Sequence, residues 1–334
     1  MKKYIGLILL TVAFFSCKPG DGRKSLLPNP TGKAGEITVI MNQEKYKGET
    51  GIALQKVLMN EYPALPQSEP MFNLINLPHE SFSSLSKRFR NIIVVKKGNS
   101  NKNEILVRKD VWASPQTVVY ISGKTYPEIR DIINKNKTKL TSVFESAEYD
   151  IMLNYNEKHA KRGIKSRLKK KFNINLNVPP GYDIDVDSTN FVWIANETPR
   201  TSQGIFIYTY PYTSEDMFSV NKIIEKRNNI LRRYVEGPSA GSYMTTEGLF
   251  PPLENSYYKD STYVYELRGL WKVENDFMGG PFISYSIYDA ERSRIIALEG
   301  YVYAGKLNKR NYLRQVDAVL RSFKIVNDEP EGDK

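Results

Sequence analysis

Apolar and polar positions along this chain follow two rhythms, and the switches between them divide it. Residues 37–41 (Ile-Thr-Val-Ile-Met) form a short β-branched run that predicts a buried strand. A helix is expected over 50–60, with Ile52, Val57 and Leu58 as its apolar contacts. Pro63, Pro66 and Pro70 then impose an extended loop. Strands are expected at 71–77, 91–95, 104–108 and 116–121, with a short helix at 79–88, a hairpin loop at 98–103 and a helix at 125–136.

The most regular stretch comes next. Leu140, Phe144, Ala147, Ile151 and Tyr155 recur at helical spacing, and Ala160, Ile164, Leu168 and Phe172 continue at i, i+4. This predicts one helix over 138–172, about 50 Å long if unbroken, with Gly163 the place where it bends or ends early. Residues 172–178 then alternate strictly, apolar then Asn, as a half-buried strand does. Strands at 191–195 and 204–210 precede a helix at 219–234. Three antiparallel strands are expected at 263–273, 282–289 and 295–303. A closing amphipathic helix over 309–323 carries Tyr312, Leu313, Val316, Val319 and Leu320. The expected fold is a small α/β domain (34–137), a long amphipathic basic helix (138–172) and an α+β domain with an antiparallel sheet (173–326), followed by an acidic tail at 327–334.

The first 33 residues fit neither rhythm. Lys2 and Lys3 precede an apolar run at 5–15, too short for a bilayer span but suited to the core of a signal peptide. The run ends at Ser16-Cys17, and Cys17 is the one cysteine of the chain. The arrangement resembles a bacterial lipobox, with Phe14 and Phe15 where a small aliphatic residue is usual. It implies a leader at 1–16, cleavage before Cys17, and diacylglycerol and palmitate chains on that residue. Residues 17–33 read as an irregular tether rich in proline and glycine. Surface-displayed lipoproteins of the kind this segment resembles tend to carry an acidic cluster just after the cysteine; Asp21 is the sole acid here, so the resemblance implies a periplasm-facing place on the outer membrane.

Charge changes the picture once the leader is set aside. The whole chain carries +11, and losing Lys2 and Lys3 leaves +9. Eight of those nine charges come from Lys158, Lys161, Arg162, Lys165, Arg167, Lys169, Lys170 and Lys171. This patch suits anionic lipid, an acidic protein or a polysaccharide, and outside the cytoplasm nucleic acid is not expected as a partner. The tyrosines are also unevenly placed, with 15 of 22 after residue 173, where they make good strand material.

Segments 27–41 (Leu-Pro-Asn-Pro-Thr-Gly-Lys-Ala-Gly-Glu-Ile-Thr-Val-Ile-Met), 65–72, 90–94 and 112–116 resemble a family of uncharacterised Bacteroidota lipoproteins. That family carries a domain-of-unknown-function label, so the resemblance implies location and lineage but no activity. Val178-Pro-Pro-Gly-Tyr182, with the closing helix running into Arg321-Ser-Phe-Lys-Ile325, resembles the PsbP/Mog1-like α+β sandwich, whose members mostly bind or assemble.

Catalytic motifs fail on context. Gly237-Pro-Ser239-Ala-Gly241 matches a nucleophile elbow, but a helix precedes it and no histidine follows Ser239. Ser84-Leu-Ser-Lys87 fits an acyltransferase signature whose companion motifs are missing. Gly123-Lys-Thr125 lacks the first glycine of a phosphate loop, Val118 standing in its place. Asp183-Ile-Asp-Val-Asp187 opens like a calcium loop but has Ser188 where glycine is needed and Ile194 where a glutamate is needed, so it reads as a strand with carboxylates outward. His79 and His159 have no second histidine at ligand spacing, and no metal or cofactor is expected. The expected function is a non-catalytic binding or assembly module of the cell envelope. The alternative is an envelope hydrolase acting on glycans or peptides through convergent carboxylates or an activated serine.

Overall fold

The β-branched runs of the first half pair with one another in a computed structural model that describes residues 27–98 and 104–326. The leader, Cys17, most of the tether, the tip of the 98–103 loop and the acidic tail lie outside the described residues. Strand β1 (Glu36–Ile40) is followed by helices α1 (Gln43–Lys47) and α2 (Glu49–Leu58), then by β2 (Asn73–Leu77), β3 (Asn91–Lys97), β4 (Glu104–Lys109) and β5 (Thr117–Gly123). They form a five-stranded sheet of order β2-β1-β3-β5-β4, parallel except for β4. Its central strands read as continuous apolar runs because both of their faces are buried. Helix α3 (Tyr126–Lys135) starts at Thr125, whose hydroxyl caps the Glu128 amide, and α4 (Lys137–His159) follows after a single residue. The short helix expected at 79–88 is instead two single-turn 3₁₀ helices, His79–Ser81 and Ser86–Arg88.

The continuous helix expected over 138–172 is also not formed. Helix α4 ends at His159, and α5 (Arg162–Phe172) starts after a break in which Ala160 and Lys161 take extended ψ values of 133° and 106°. The break has a cause in packing: the Lys161 amide donates to the Val178 carbonyl at 2.9 Å, which turns the chain onto the second half. Gly163, the expected weak point, sits inside the first turn of α5. The two apolar stripes thus serve two surfaces, one facing α2 and the closing helix of the chain, the other the second half.

After α5 the chain forms β6 (Ile174–Asn175), β7 (Asp183–Ser188), β8 (Phe191–Glu197) and β9 (Ser202–Pro211), then helix α6 (Val220–Tyr234). Strands β10 (Tyr243–Thr246) and β11 (Leu253–Lys259) both pair with β12 (Thr262–Glu274), one toward each of its ends. The chain continues through β13 (Gly279–Asp289), β14 (Arg294–Tyr303), helix α7 (Arg310–Arg321) and β15 (Lys324–Ile325), which returns to pair with β6. The large sheet is antiparallel, of order β10-β12-β13-β14-β9-β8-β7 with β11 beside β12. The alternation at 172–178 appears in burial at every step, although only Ile174 and Asn175 pair as strand.

Helices cover both faces of this sheet, so its strands alternate between two cores. Along β14, Ile296, Leu298 and Val302 face α7, while Ile295, Ala297 and Tyr301 face the α6 side. Many of the second-half aromatics gather under α6, among them Phe191, Phe206, Tyr208, Trp271 and Tyr301. The core on the α7 side does not stop at the half boundary. It runs from Ile37 of β1 through Phe144 of α4 to Leu320 of α7.

One close approach in the aromatic layer is testable. Gly204 of β9 stands opposite Tyr301 of β14, and a Cβ at Gly204 would lie 1.9 Å from the Tyr301 ring. That ring stacks on Phe206 at 5.0 Å, so it has little room to withdraw. Gly204→Ala is expected to cost about 1–3 kcal/mol, read as a lower urea midpoint at constant m-value. An unchanged midpoint would mean the ring turns aside freely.

Candidate binding site between the two halves

Helix α7 buries charge beside its apolar stripe. Arg310, Arg314, Asp317 and Arg321 repeat at spacings of four, three and four, which puts them on one side of the helix. That side meets the first half of the chain. Glu69, from the proline-rich loop before β2, accepts hydrogen bonds from the Lys309 amide at 2.6 Å and the Arg310 amide at 3.1 Å. A carboxylate from 240 residues away thus caps the start of α7, where unpaired amides and the helix dipole favour an anion. Arg310 donates to the Pro70 carbonyl, Arg314 Nη2 to the Met71 carbonyl at 2.8 Å, and Asn311 to the Ala34 carbonyl at 3.1 Å.

Helix α4 supplies the other ties. Tyr149 donates its hydroxyl to Asp317 Oδ2 at 2.5 Å. Its neighbour Glu148 accepts from the Asn91 side chain at 2.7 Å, the Gly35 amide at 3.0 Å and Arg90 Nη1 at 3.3 Å. Gly35 has a left-handed φ of 72°, and a Cβ there would come within 2.7 Å of Arg310 and 3.1 Å of Arg314 Nη1. Only glycine lets the backbone approach both guanidinium groups.

Beside these ties lies a cleft of about 380 Å³ walled by both halves. Ile151, Met152 and Tyr155 of α4 form one apolar side, and Pro179, Pro180 and Tyr182 form the other. The charged residues lining it are Arg90, Glu148 and Arg314. Arg314 is 1% exposed, and its guanidinium packs 4.8 Å from the Phe72 ring centre and 5.1 Å from that of Tyr62. Its Nε and Nη1, and Nε of Arg90, find no acceptor among the described residues. Buried donors of this kind are uncommon, since leaving one unmet costs about 1–3 kcal/mol.

The basic residues singled out in the sequence are divided by the helix break. Lys158 lies exposed at the end of α4, and the other seven are at the break or on α5. Lys161 pairs with Asp183 and the Tyr182 carbonyl, Lys165 with Asn177, and Arg167 and Lys171 with Asp187. Arg162, Lys169 and Lys170 remain exposed on the outer side of α5. Ser239 sits in an exposed turn and donates to Asp276 at 3.0 Å, while Lys87 lies over the Phe82 and Trp112 rings. His159 stacks on Tyr155 at 4.3 Å. Arg314, Arg90 and Glu148 stand in no motif of the sequence. The signal available was the four-three-four run of charges on α7, which reads as a solvated stripe unless a second surface is known to cover it.

Residues 30–157 match the family model described as Domain of unknown function (DUF8532), and residues 161–322 match Domain of unknown function (DUF4837). The chain matches two families of unknown function. The junction between the DUF8532 and DUF4837 segments falls at the end of α4, so the cleft lies between the two matched segments. No curated protein matches the sequence. Among solved structures, the Saccharomyces cerevisiae Ran-binding protein Mog1p is 10% identical, with a TM-score of 0.32 over 46% of this chain and 91% of that one. A Mog1 variant gives 10%, 0.31, 47% and 92%. The human StAR-related lipid transfer protein 5 gives 10%, 0.23, 52% and 98%. The Mog1 likeness is weak, and at these scores none of the three carries a functional implication.

Proposed function

We propose that this chain is a lipid-anchored binding module of the bacterial cell envelope, held at Cys17 and receiving a small molecule between its two halves. One observation carries the binding part: the cleft is walled by both halves, and its carboxylate, Glu148, is already committed to three donors. A carboxylate held in that way organises its surroundings and is poorly placed to shuttle protons. A hydrolase needs two converging carboxylates or a serine beside a base. At the cleft Glu148 is the lone carboxylate among the described residues, and Ser239 lies outside it.

The anchor reading rests on Lys2, Lys3, the apolar run at 5–15 and Ser16-Cys17, the features shared with Bacteroidota-type lipoproteins. Several acyl chains, each methylene contributing about 0.8 kcal/mol when buried, hold a folded domain at a membrane. A periplasm-facing place on the outer membrane fits the single acid, Asp21, in the tether. Lys158, Arg162, Lys169 and Lys170 are free to meet anionic lipid, an acidic protein or a polysaccharide.

Cys17→Ala tests the anchor. The variant is expected to lose all incorporation of labelled palmitate and to accumulate as an uncleaved precursor; full labelling and normal cleavage would overturn it. Native mass spectrometry of the chain drawn from its own envelope tests the binding. A retained small molecule that is lost in Met152→Trp, where an indole fills the cleft, supports it. The same bound mass on both proteins, or none on either, overturns it.

A further inference from the structure

We propose that the cleft takes an amphipathic monocarboxylate, its carboxylate set against Arg314 and Arg90 and its apolar body between α4 and the Pro179-Pro180 turn. The inference rests on the binding reading above and names the class of ligand. Three features of the cleft select that class.

The first is unmet donors. Arg314 Nε and Nη1 and Arg90 Nε carry N–H groups with no acceptor among the described residues, and Arg314 is almost wholly buried. A carboxylate offers two oxygens with about four acceptor positions, and charge-assisted bonds to guanidinium are roughly twice as strong as neutral ones. Arg90 immediately precedes β3 and Arg314 comes from α7, so one anion bound by both would bridge the halves.

The second is charge. The lining holds two guanidinium groups and one carboxylate, for a balance of +1. Glu148 already partners Arg90 Nη1, which leaves Arg314 as the lining cation without a carboxylate partner among the described residues. One negative charge completes the balance. A dianion such as a phosphate monoester would leave a surplus charge beside Glu148, in a place where water screens it poorly.

The third is the wall. Three side chains of α4 and the Pro-Pro-Gly-Tyr turn give the cleft two apolar sides, with the carboxamides of Asn156, Asn196, Gln203, Asn311 and Gln315 completing the lining, and about 380 Å³ lies within the usual range for small-molecule sites. An apolar chain or ring there leaves water while the carboxylate reaches the arginines. A neutral body of the same shape would keep the apolar contact and leave the N–H groups less well met.

Calorimetric titration of the chain from Lys18 onward, which contains every described element and needs no detergent, decides the matter. The probes are 3-phenylpropionate and decanoate, each beside its neutral amide, with inorganic phosphate as a plain anion. At least one carboxylate is expected to bind tenfold or more tighter than its amide, and phosphate to bind weaker than either. Arg314→Lys keeps the charge but loses the planar donor set, and is expected to weaken the carboxylate at least tenfold while leaving the amide unchanged. Arg90→Gln, at a more exposed position, provides the same readout if Arg314→Lys unfolds, as circular dichroism would show. Met152→Trp should abolish binding of both partners of each pair. Amide and carboxylate binding equally would overturn the anion assignment and leave the binding reading standing. Failure of both carboxylates to bind also overturns the proposal. The binding reading itself then stands or falls on the mass-spectrometric comparison.

Discussion

Asp317→Ala is expected to destabilise the protein by about 3–5 kcal/mol, the usual result of removing one partner from a buried ionic cluster. Asp317 is fully buried on α7 and accepts four donors. Tyr285 and Arg321 Nε reach Oδ1, the latter at 3.0 Å, while Tyr149 and Arg268 reach Oδ2 at 2.5 and 2.9 Å. These donors come from β13, α7, α4 and β12, so the carboxylate joins the large sheet to the last helix of the first half. Without it two guanidinium groups lose their shared counterion, and among the described residues only Arg268 has another, Glu266. At a protein of this size the loss corresponds to roughly 4–7 °C in melting temperature. A shift below 2 °C would mean the arginines find water or other partners at little cost.

The same carboxylate fixes a pH window. Burial alone would raise its pKa, but Arg268, Arg321 and the two tyrosine hydroxyls override that and pull it down to about 2. In the unfolded chain an aspartate titrates near 3.9. The folded value is the lower, so the stabilisation is complete above about pH 4 and is lost as pH falls toward about 2. It amounts to roughly 2–3 kcal/mol at neutral pH. Urea midpoints between pH 5 and 2 should therefore fall more steeply for the native chain than for Asp317→Ala. Parallel curves would assign the acid sensitivity to other carboxylates.

How much of this was readable beforehand follows from what each pattern depends on. The three strands at 263–273, 282–289 and 295–303 and the closing helix are found nearly where periodicity puts them, because each buries its own apolar positions. The helix break at Ala160–Lys161 was not readable. It depends on the Val178 carbonyl, which no local pattern announces. The charge run at 158–171 was plain, but that four of its eight members are paired follows from Asp183, Asp187 and Asn177 lying across from α5. The aspartates of β7 do point outward as the alternation predicts, and two of them lie across from cations at the start and along one side of α5. The cleft was the least readable feature. Arg314 looks like an ordinary surface residue until Phe72, Tyr62 and Gly35 arrive from more than two hundred residues away.

Arg227→Met is expected to cost about 3–5 kcal/mol near pH 7.5, and the pair Arg227→Met with Glu299→Leu much less. Arg227 of α6 and Glu299 of β14 are both fully buried, joined by two parallel bonds of 2.9 and 2.7 Å. Arg227 also donates to Thr246 at 2.7 Å and lies 4.1 Å from the centre of the Phe282 ring. Taking both ions out of water is so costly that their attraction does little more than offset it. The direction of the Glu299 pKa says the same: burial raises it, and Arg227 only partly opposes the rise. With Arg227 gone that opposition is lost, and Glu299 moves further up. Its folded pKa then lies above the unfolded value, so stability falls as pH rises through that interval. Arg227→Met should accordingly recover much of its loss at pH 4.5, where Glu299 is protonated and neutral. The double variant should show no such recovery, having no buried acid to neutralise. Urea denaturation of the three proteins at both pH values distinguishes the cases. Equal losses for Arg227→Met at pH 4.5 and 7.5 would mean that packing on Phe282, and not the stranded charge, sets the cost. The contrast with Asp317 is then one of donor number. Four donors hold Asp317 charged down to about pH 2, whereas one guanidinium leaves Glu299 dependent on its partner for remaining charged at all.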